Sequence, residues 1–122
     1  MDFEILDSRP IWQQLTEQIR RRIVTGEYAP GGRLPSVREL AAQTGVNPNT
    51  LQRAFAQLEQ EGLLYTERTT GRFVTDDAAR LAQLKEEAAL RLADQFLAQA
   101  GLLGYSPAAA AQLLNQRSET YA

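Results

Sequence analysis

Cysteine and histidine are both absent from the 122 residues of this chain. The chain therefore cannot form a disulfide, bind a transition metal through thiolate or imidazole, or use a cysteine nucleophile or a histidine-based triad. Long apolar runs are absent too, since the longest have four residues and a membrane-spanning helix needs about 20. The first residues are acidic, unlike a secretory signal. We expect a cytoplasmic protein without a cofactor.

Charge is distributed unevenly along the chain. The net charge of −2 argues by itself against a nucleic-acid partner. Residues 1–75, however, carry nine cations and nine acids, whereas residues 76–122 carry four cations and six acids. All nine cations of the first part are arginines, whose planar fork suits phosphate groups and guanine edges. The two parts are therefore expected to have different roles.

Two helices are predicted in the first third of the chain. Between residues 10 and 25, leucine and isoleucine recur every four positions, which indicates an amphipathic helix. Residues 26–36 are rich in glycine and proline and predict a loop. Ser36 and Glu39 then form a capping box, which predicts the start of a short second helix.

A third helix and a β-hairpin complete the first part. After a turn containing Gly45, Asn47 and Pro48 supply the cap and first residue of a helix. Residues 63–66 and 72–75 are short β-prone runs on either side of a polar segment, and predict a hairpin. The order helix, helix, turn, helix, hairpin predicts a winged helix-turn-helix domain over residues 1–75.

Residues 76–122 predict two further helices, so the fold class is mainly α with a small β-hairpin. The first runs from 76 to about Ala100, and the second begins at Ser106. Two such helices cannot enclose a core of their own. We therefore expect a helical dimerisation segment, with these residues in the interface: Leu81, Leu84, Ala88, Leu92, Phe96, Leu113 and Leu114.

The third helix has one apolar and one polar face when it is projected at about 100° per residue. The core side holds Leu51, Ala54, Phe55 and Leu58. The outward face and its flanks hold Asn49, Thr50, Gln52, Arg53, Ala56 and Gln57. Arginine suits guanine, and asparagine or glutamine suits adenine, so this face could contact base edges. The alternative is an ordinary solvated face.

Other candidate DNA contacts flank the third helix. Ser36 and Arg38 lie in the first turn of the second helix, where free N–H groups and the helix dipole favour a phosphate. The alternative for Arg38 is a salt bridge to Glu39 or Glu59. Arg68 and Arg72 flank the hairpin tip and could reach the DNA backbone or the minor groove. Alternatively, they only make an exposed edge soluble.

Arginines and a tryptophan stand out in the first helix. Residues 20–22 are consecutive arginines between two apolar positions, so they are expected on the solvent side, paired with Glu17. Auxiliary phosphate contact is the alternative. Trp12 has no second aromatic residue beside it, and we expect it in the core or at a domain seam rather than as a stacking platform.

The run PGGRLPSVRELAAQTGVNPNTLQRAFAQLEQEGLLYTERTTGRFVT resembles the winged-helix DNA-binding domain of the GntR family of bacterial transcription regulators. The preceding PIWQQLTEQIRRRIVTGEYA is similar to the first helix of that family, so the match covers about residues 9–75. The NPNT start of the third helix and the short C-terminal part are most similar to the YtrA-like subfamily. Such members dimerise through short C-terminal helices and have no large effector domain.

The resemblance implies which residues contact DNA. They are Ser36 and Arg38 at the second helix, and Asn47, Asn49, Thr50, Gln52 and Arg53 in the third. The family usually has a glycine two residues before the one that matches Gly71, where this chain has Thr69, so the conformation of the hairpin tip is not carried over. Pro48 and Gln52 stand where many other branches carry arginine, so operator preferences are not carried over either.

Three functions compete at this stage. The favoured one is a homodimeric DNA-binding transcription regulator, by resemblance a repressor, which binds an inverted-repeat operator in double-stranded DNA. The second is a winged-helix protein-interaction module that does not bind DNA. The third is an enzyme, which we do not favour because no constellation of catalytic residues converges. A small-molecule effector, if the protein has one, is expected between the two parts or in the dimer seam. No membrane partner is expected.

Overall fold

Five helices and one β-hairpin make up residues 3–6 and 8–122, which are the residues that the computed structural model describes. The elements of the first part are α1 (Ile11–Val24), α2 (Val37–Thr44), α3 (Pro48–Gln60), β1 (Leu64–Glu67) and β2 (Gly71–Val74). They are followed by α4 (Ala78–Leu102) and α5 (Pro107–Tyr121). The predicted winged-helix order and mainly helical class are therefore confirmed.

Packing of α1 and α2 against α3 builds the core of the first part. The predicted inward face of α3 is fully buried, as the projection required. Leu15, Ile19 and Ile23 of α1 are also fully buried, and the hairpin adds Leu64 and Val74. Burial of each such aliphatic side chain contributes about 1.5–3 kcal/mol to the free energy of folding. The core therefore holds α3 in a fixed orientation.

The turn between α2 and α3 is set by local caps. The Ser36 hydroxyl accepts a hydrogen bond from the Glu39 N–H at 3.1 Å, and the Glu39 carboxylate accepts one from the Ser36 N–H at 3.5 Å. Gly45 ends α2 with a φ of +72°, a left-handed conformation that favours glycine. Asn47 then caps α3 through its side-chain oxygen, at 2.8 Å from the Asn49 nitrogen.

The hairpin gains a third segment from the loop before α2. Tyr65 pairs with Phe73 in the antiparallel β1–β2 register, and Arg33 forms an isolated bridge to Phe73 on the other edge. The Leu34 N–H donates to the Arg72 carbonyl at 2.9 Å. Thr69 does not have a positive φ, whereas Gly71 has a φ of +115°. The tip therefore needs no glycine at position 69.

The arginines of α1 form ion pairs that their spacing did not predict. Arg20 lies 2.7 Å from the Glu61 carboxylate, and Arg22 is buried, 3.3 Å from Glu27. Glu17 pairs instead with Arg9 at 2.8 Å. Arg21 is exposed as expected, whereas Arg20 is half-buried and Arg22 is buried, so the expected solvent position is wrong for these two. Their expected pairing with Glu17 is wrong as well, because Glu61 and Glu27 lie closer to them.

The chain divides into two compact units, one ending at Ala82 and the other from Gln83 to Ala122. In the second unit, all of whose residues are described, only Ala100 and Ala110 are buried. The helix α4 continues through Gly101 to Leu102, two residues beyond its expected end. The Ser106 hydroxyl caps α5 by accepting from the Ala109 N–H at 3.1 Å. The helix α5 continues to Tyr121.

Candidate nucleic-acid interface

The outward face of α3 is exposed over its whole length. Asn49, Gln52, Arg53 and Ala56 are exposed, and Thr50 is half-buried. This face therefore presents hydrogen-bond donors, acceptors and a cation to solvent from a helix whose opposite side is fixed in the core. Asn47 stands at the start of the same helix, but its side-chain oxygen is used by the cap. Its amide nitrogen remains available as a donor.

Arg53 does not extend freely into solvent. Its guanidinium carbon lies 4.0 Å from the centroid of the Trp12 ring, which is within the range of a cation–π contact. Trp12 is half-buried at the start of α1. The sequence did not predict this contact between Trp12 and Arg53. The pattern of one helix could not reveal a partner that comes from another.

Arg38 lies at the start of α2 and is exposed. Within residues 3–6 and 8–122 its guanidinium forms no ion pair, so neither proposed salt bridge is present. Glu39 is used in the capping box, and Glu59 is paired with Arg72. The positive charge of Arg38 is thus available beside the free N–H groups of the first turn of α2.

Arg72 is held by several partners at once. Its Nε donates to Glu59 Oε1 at 2.8 Å, and one of its terminal nitrogens donates to Gln52 Oε1 at 3.0 Å. The Thr66 hydroxyl donates to the same Glu59 oxygen. Burial alone would raise the pKa of Glu59, but the hydrogen bonds from Thr66 and Arg72 and the charge of Arg72 lower it below its ordinary value. Glu59 is therefore ionised at neutral pH.

A cleft of about 370 Å³ lies between the hairpin tip and the loop before α2. It brings together Ser36, Arg68, Arg72 and a residue that sequence reasoning missed, Arg33. A side chain at Gly71 would place its Cβ 3.0 Å from Arg33 Nε, so the glycine makes room for this guanidinium. The only feature of the sequence that could have indicated a role for Arg33 is its position directly after two glycines. Glu67 also lines the cleft, so its three arginines leave a net positive charge that could contact phosphate.

The predicted interface residues of the C-terminal part differ in exposure. Leu92 is 66% exposed and Leu114 is 48% exposed. Leu81 is already buried within the chain, which leaves little of its surface for a partner. The remaining four are half-buried: Leu84, Ala88, Phe96 and Leu113.

Further exposed apolar residues were not predicted in this part. Leu102 and Leu103 are 82% and 80% exposed, and Tyr105 and Tyr121 are exposed as well. The two leucines follow Ala100, the expected end of α4, so the helical pattern assigned them to no face. Three of these four residues lie within residues 102–105, and such grouped apolar exposure is typical of an interaction surface.

No metal site or membrane span is found in the part of the chain that the structure describes. Its acidic residues form no cluster that could hold a metal ion. None of its helices is both long and apolar enough to cross a bilayer.

Three helices with a tight turn before the third and a β-hairpin after it define a winged helix-turn-helix protein. The family model described as "Bacterial regulatory proteins, gntR family" matches residues 12–74. The chain therefore belongs to the GntR family, and it is a helix-turn-helix transcription regulator.

Curated relatives support the same assignment. The uncharacterized HTH-type transcriptional regulator YhcF of Bacillus subtilis (strain 168) is 40% identical over 104 residues, which are 85% of this chain and 86% of that protein. The HTH-type transcriptional repressor YtrA of the same organism is 36% identical over 86 residues, which are 66% of each chain. Similarity to YtrA-type regulators is thereby confirmed.

Solved structures extend the similarity to the fold. A GntR family transcriptional regulator from Listeria monocytogenes superposes with a TM-score of 0.86 at 39% identity, covering 92% of this chain and 98% of that one. AraR(DBD) in complex with operator ORX1 superposes with a TM-score of 0.54 at 30% identity. This second match covers 62% of this chain and 99% of the AraR chain.

Proposed function

We propose that this protein is a cytoplasmic, homodimeric repressor that binds an inverted-repeat operator in double-stranded DNA. The observation that carries the proposal is the exposed polar face of α3, which is rigidly backed by a buried apolar face. The similarity to an AraR domain described in complex with an operator supports it. The overall negative charge does not argue against DNA binding, because nine of the twelve arginines lie in residues 1–75.

We assign base contacts to the exposed face of α3. In a helix-turn-helix protein the residues near the N-terminus of the second helix contact base edges in the major groove. Asn49, Gln52 and Arg53 are exposed at that end of α3 and carry the side-chain chemistry for such contacts. Thr50, on the flank of this face, can contact a base or a phosphate through its hydroxyl.

Phosphate contacts are assigned to residues around α3. Ser36 and Arg38 at the start of α2 and Asn47 at the start of α3 combine polar side chains with the positive ends of helix dipoles. The exposed Arg68 at the hairpin tip and Arg33 add positive charge in the cleft that Ser36 also lines. Such contacts position a protein on the duplex but do not select its sequence.

Dimerisation is assigned to the second unit. Its exposed leucines and tyrosines present a larger apolar surface to water than a stable isolated helix pair normally does. A second copy of the chain can cover them in a two-fold symmetric interface. Linking two winged helices makes the second half-site contact intramolecular, which can raise the overall affinity about 10²–10⁴-fold without new DNA contacts.

Operator selection from a randomised duplex pool tests this function. The expected product is an inverted repeat whose half-sites lie about one helical turn apart. Inserting about five base pairs between the half-sites turns one of them to the opposite side of the duplex, so high-affinity binding should be lost. Affinity should also fall steeply with salt, with a slope that corresponds to roughly six to ten phosphate contacts per dimer.

Two outcomes of the selection would contradict the proposal. A selection that enriches no sequence, together with the absence of salt-sensitive duplex binding, would favour a winged helix that binds only proteins. Binding that is indifferent to the inserted base pairs would contradict paired docking in the major groove.

A further inference from the structure

The side chain of Gln52 is oriented by Arg72, a residue 20 positions away on the hairpin. The Arg72 nitrogen lies 3.0 Å from the Gln52 side-chain oxygen. A guanidinium has five donors and no acceptor, so only the oxygen of the amide can face it. The choice between the two amide orientations of Gln52 is therefore decided by the chemistry of Arg72.

Arg72 is itself fixed within the protein. Its Nε is paired with Glu59 at 2.8 Å, and its guanidinium lies 5.0 Å from the centroid of the buried Phe55 ring. Only 24% of the Arg72 side chain is exposed. Thr66 donates to the same carboxylate oxygen and holds Glu59 in place. Arg72 is thus ordered by the protein and needs no DNA to keep its position.

The consequence for Gln52 follows from amide geometry. The oxygen and the nitrogen diverge from one carbon, so an oxygen that is turned toward Arg72 leaves the NH₂ group turned away from it. A free glutamine pairs with adenine by accepting from N6 and donating to N7, and therefore needs both of its atoms. Guanine presents two acceptors, N7 and O6, which need only a donor.

We propose that Arg72 is a specificity-determining positioning residue that makes Gln52 a hydrogen-bond donor to the DNA and so selects guanine over adenine. The proposal rests on the proposed operator binding, and it gives Arg72 a different role from a phosphate contact. The hairpin then influences base selection through the protein interior, without touching the base.

Competition binding with the full-length chain tests this inference. An operator is first selected with the wild-type protein, and the Gln52→Ala variant identifies the base pair at which discrimination disappears. Four duplexes that differ only at this pair then give the preference of each variant. We expect the wild-type protein to prefer guanine over adenine there by at least about fivefold, which is the lower end of a base-specific contact.

The decisive variant is Arg72→Lys. Lysine keeps the positive charge beside Glu59, but it lacks the planar fork that reaches two acceptors at fixed positions. The preference for guanine should fall below about twofold or reverse toward adenine, while discrimination at the other base pairs is retained. Arg72→Met combined with Glu59→Gln removes both charges and should have the same effect without leaving an unpaired carboxylate.

Arg68→Met is the matched control in the same hairpin. Arg68 is exposed, and its loss should weaken all four duplexes alike. Thermal unfolding of each variant separates a loss of folded protein from a change of preference.

Three outcomes bear directly on the inference. A uniform loss of affinity in Arg72→Lys, with an unchanged guanine preference, would overturn it and make Arg72 a phosphate contact. A Gln52→Ala variant that keeps discrimination at every base pair would overturn it too. In both cases specific operator binding by the wild-type protein would leave the proposed function standing, whereas a wild-type protein that selects no operator would refute the function itself.

Discussion

The guanidinium of Arg53 lies over the indole ring of Trp12, 4.0 Å from the ring centroid. Trp12 belongs to α1 and Arg53 to α3, so the first helix holds a side chain of the helix that we assign to the major groove. A cation–π contact at an exposed site contributes about 0.5–1 kcal/mol. Stacking therefore restricts the positions that Arg53 can take before it meets DNA.

Replacing Trp12 should weaken operator binding through Arg53. We expect Trp12→Leu to bind the selected operator about two- to fivefold more weakly, the equivalent of one cation–π contact. The loss should fall on the same base pairs that respond to Arg53→Ala, whereas Trp12→Phe, which keeps an aromatic ring, should lose less.

A double-mutant cycle is the control for this prediction. The Trp12→Leu/Arg53→Ala variant should bind no more weakly than Arg53→Ala alone, because the tryptophan then has nothing left to orient. A further loss of affinity in the double variant would show that Trp12 acts independently of Arg53.

Replacing Arg53 or Arg38 with alanine should reduce DNA binding in two different ways. Arg53→Ala should cost about 1–3 kcal/mol per half-site and reduce discrimination at one or two base pairs. Arg38→Ala should weaken binding to every sequence alike and reduce the salt slope by about one per subunit. Competition assays across single-base operator variants at several salt concentrations measure both effects. The assignments fail if Arg38→Ala alters base preference and Arg53→Ala does not.

Leu92→Asp should convert the dimer into a monomer and reduce operator affinity about 10²–10⁴-fold, since the advantage of linked half-sites is lost. Leu92 is 66% exposed within the chain, so the substitution should leave the fold of the monomer intact. Analytical ultracentrifugation and operator titration measure the two effects.

Gln83→Asp is the matched control for the dimer interface. Gln83 is also exposed on α4, about 180° around the helix axis from Leu92 at roughly 100° per residue. This variant should remain dimeric and bind normally. A Leu92→Asp protein that stays dimeric would show that the interface lies elsewhere on the chain.

Low pH should destabilise the fold partly through Glu61. Burial would raise the pKa of this carboxylate, but hydrogen bonds from Arg20 and Gln57 and the charges of Arg20 and Arg80 lower it below its ordinary value. A lowered folded-state pKa means that the stabilisation is fully present above the ordinary glutamate value of about 4.3 and is lost as pH falls through the folded value. Urea unfolding below about pH 5 should therefore show falling stability.

The Glu61→Gln variant should show a flatter dependence on pH over that range. At neutral pH it should be less stable by up to about 1 kcal/mol, the usual contribution of a partly exposed ion pair. Glu119→Gln, at an exposed position near the end of α5, is the control and should follow the wild-type curve. Equal slopes for Glu61→Gln and the wild type would rule out this source of acid sensitivity.

The sequence by itself determined the order of the elements and the orientation of α3. Capping by Ser36, Glu39 and Asn47 acts within one helical turn, and the burial of one face follows from the 3.6-residue period. Both depend on neighbours no more than four residues apart, so they could be predicted and are confirmed. The exposure of the polar face of α3 follows from the same period.

Only the tertiary structure decided which side chain each arginine meets. Arg53 stacks on a ring 41 positions away, Arg20 pairs with a carboxylate 41 positions away, and Arg72 holds the amide of Gln52 from 20 positions away. A long, flexible side chain contacts the groups that lie near it in space. These depend on how the helices and the hairpin pack, so they cannot be predicted from a local sequence pattern.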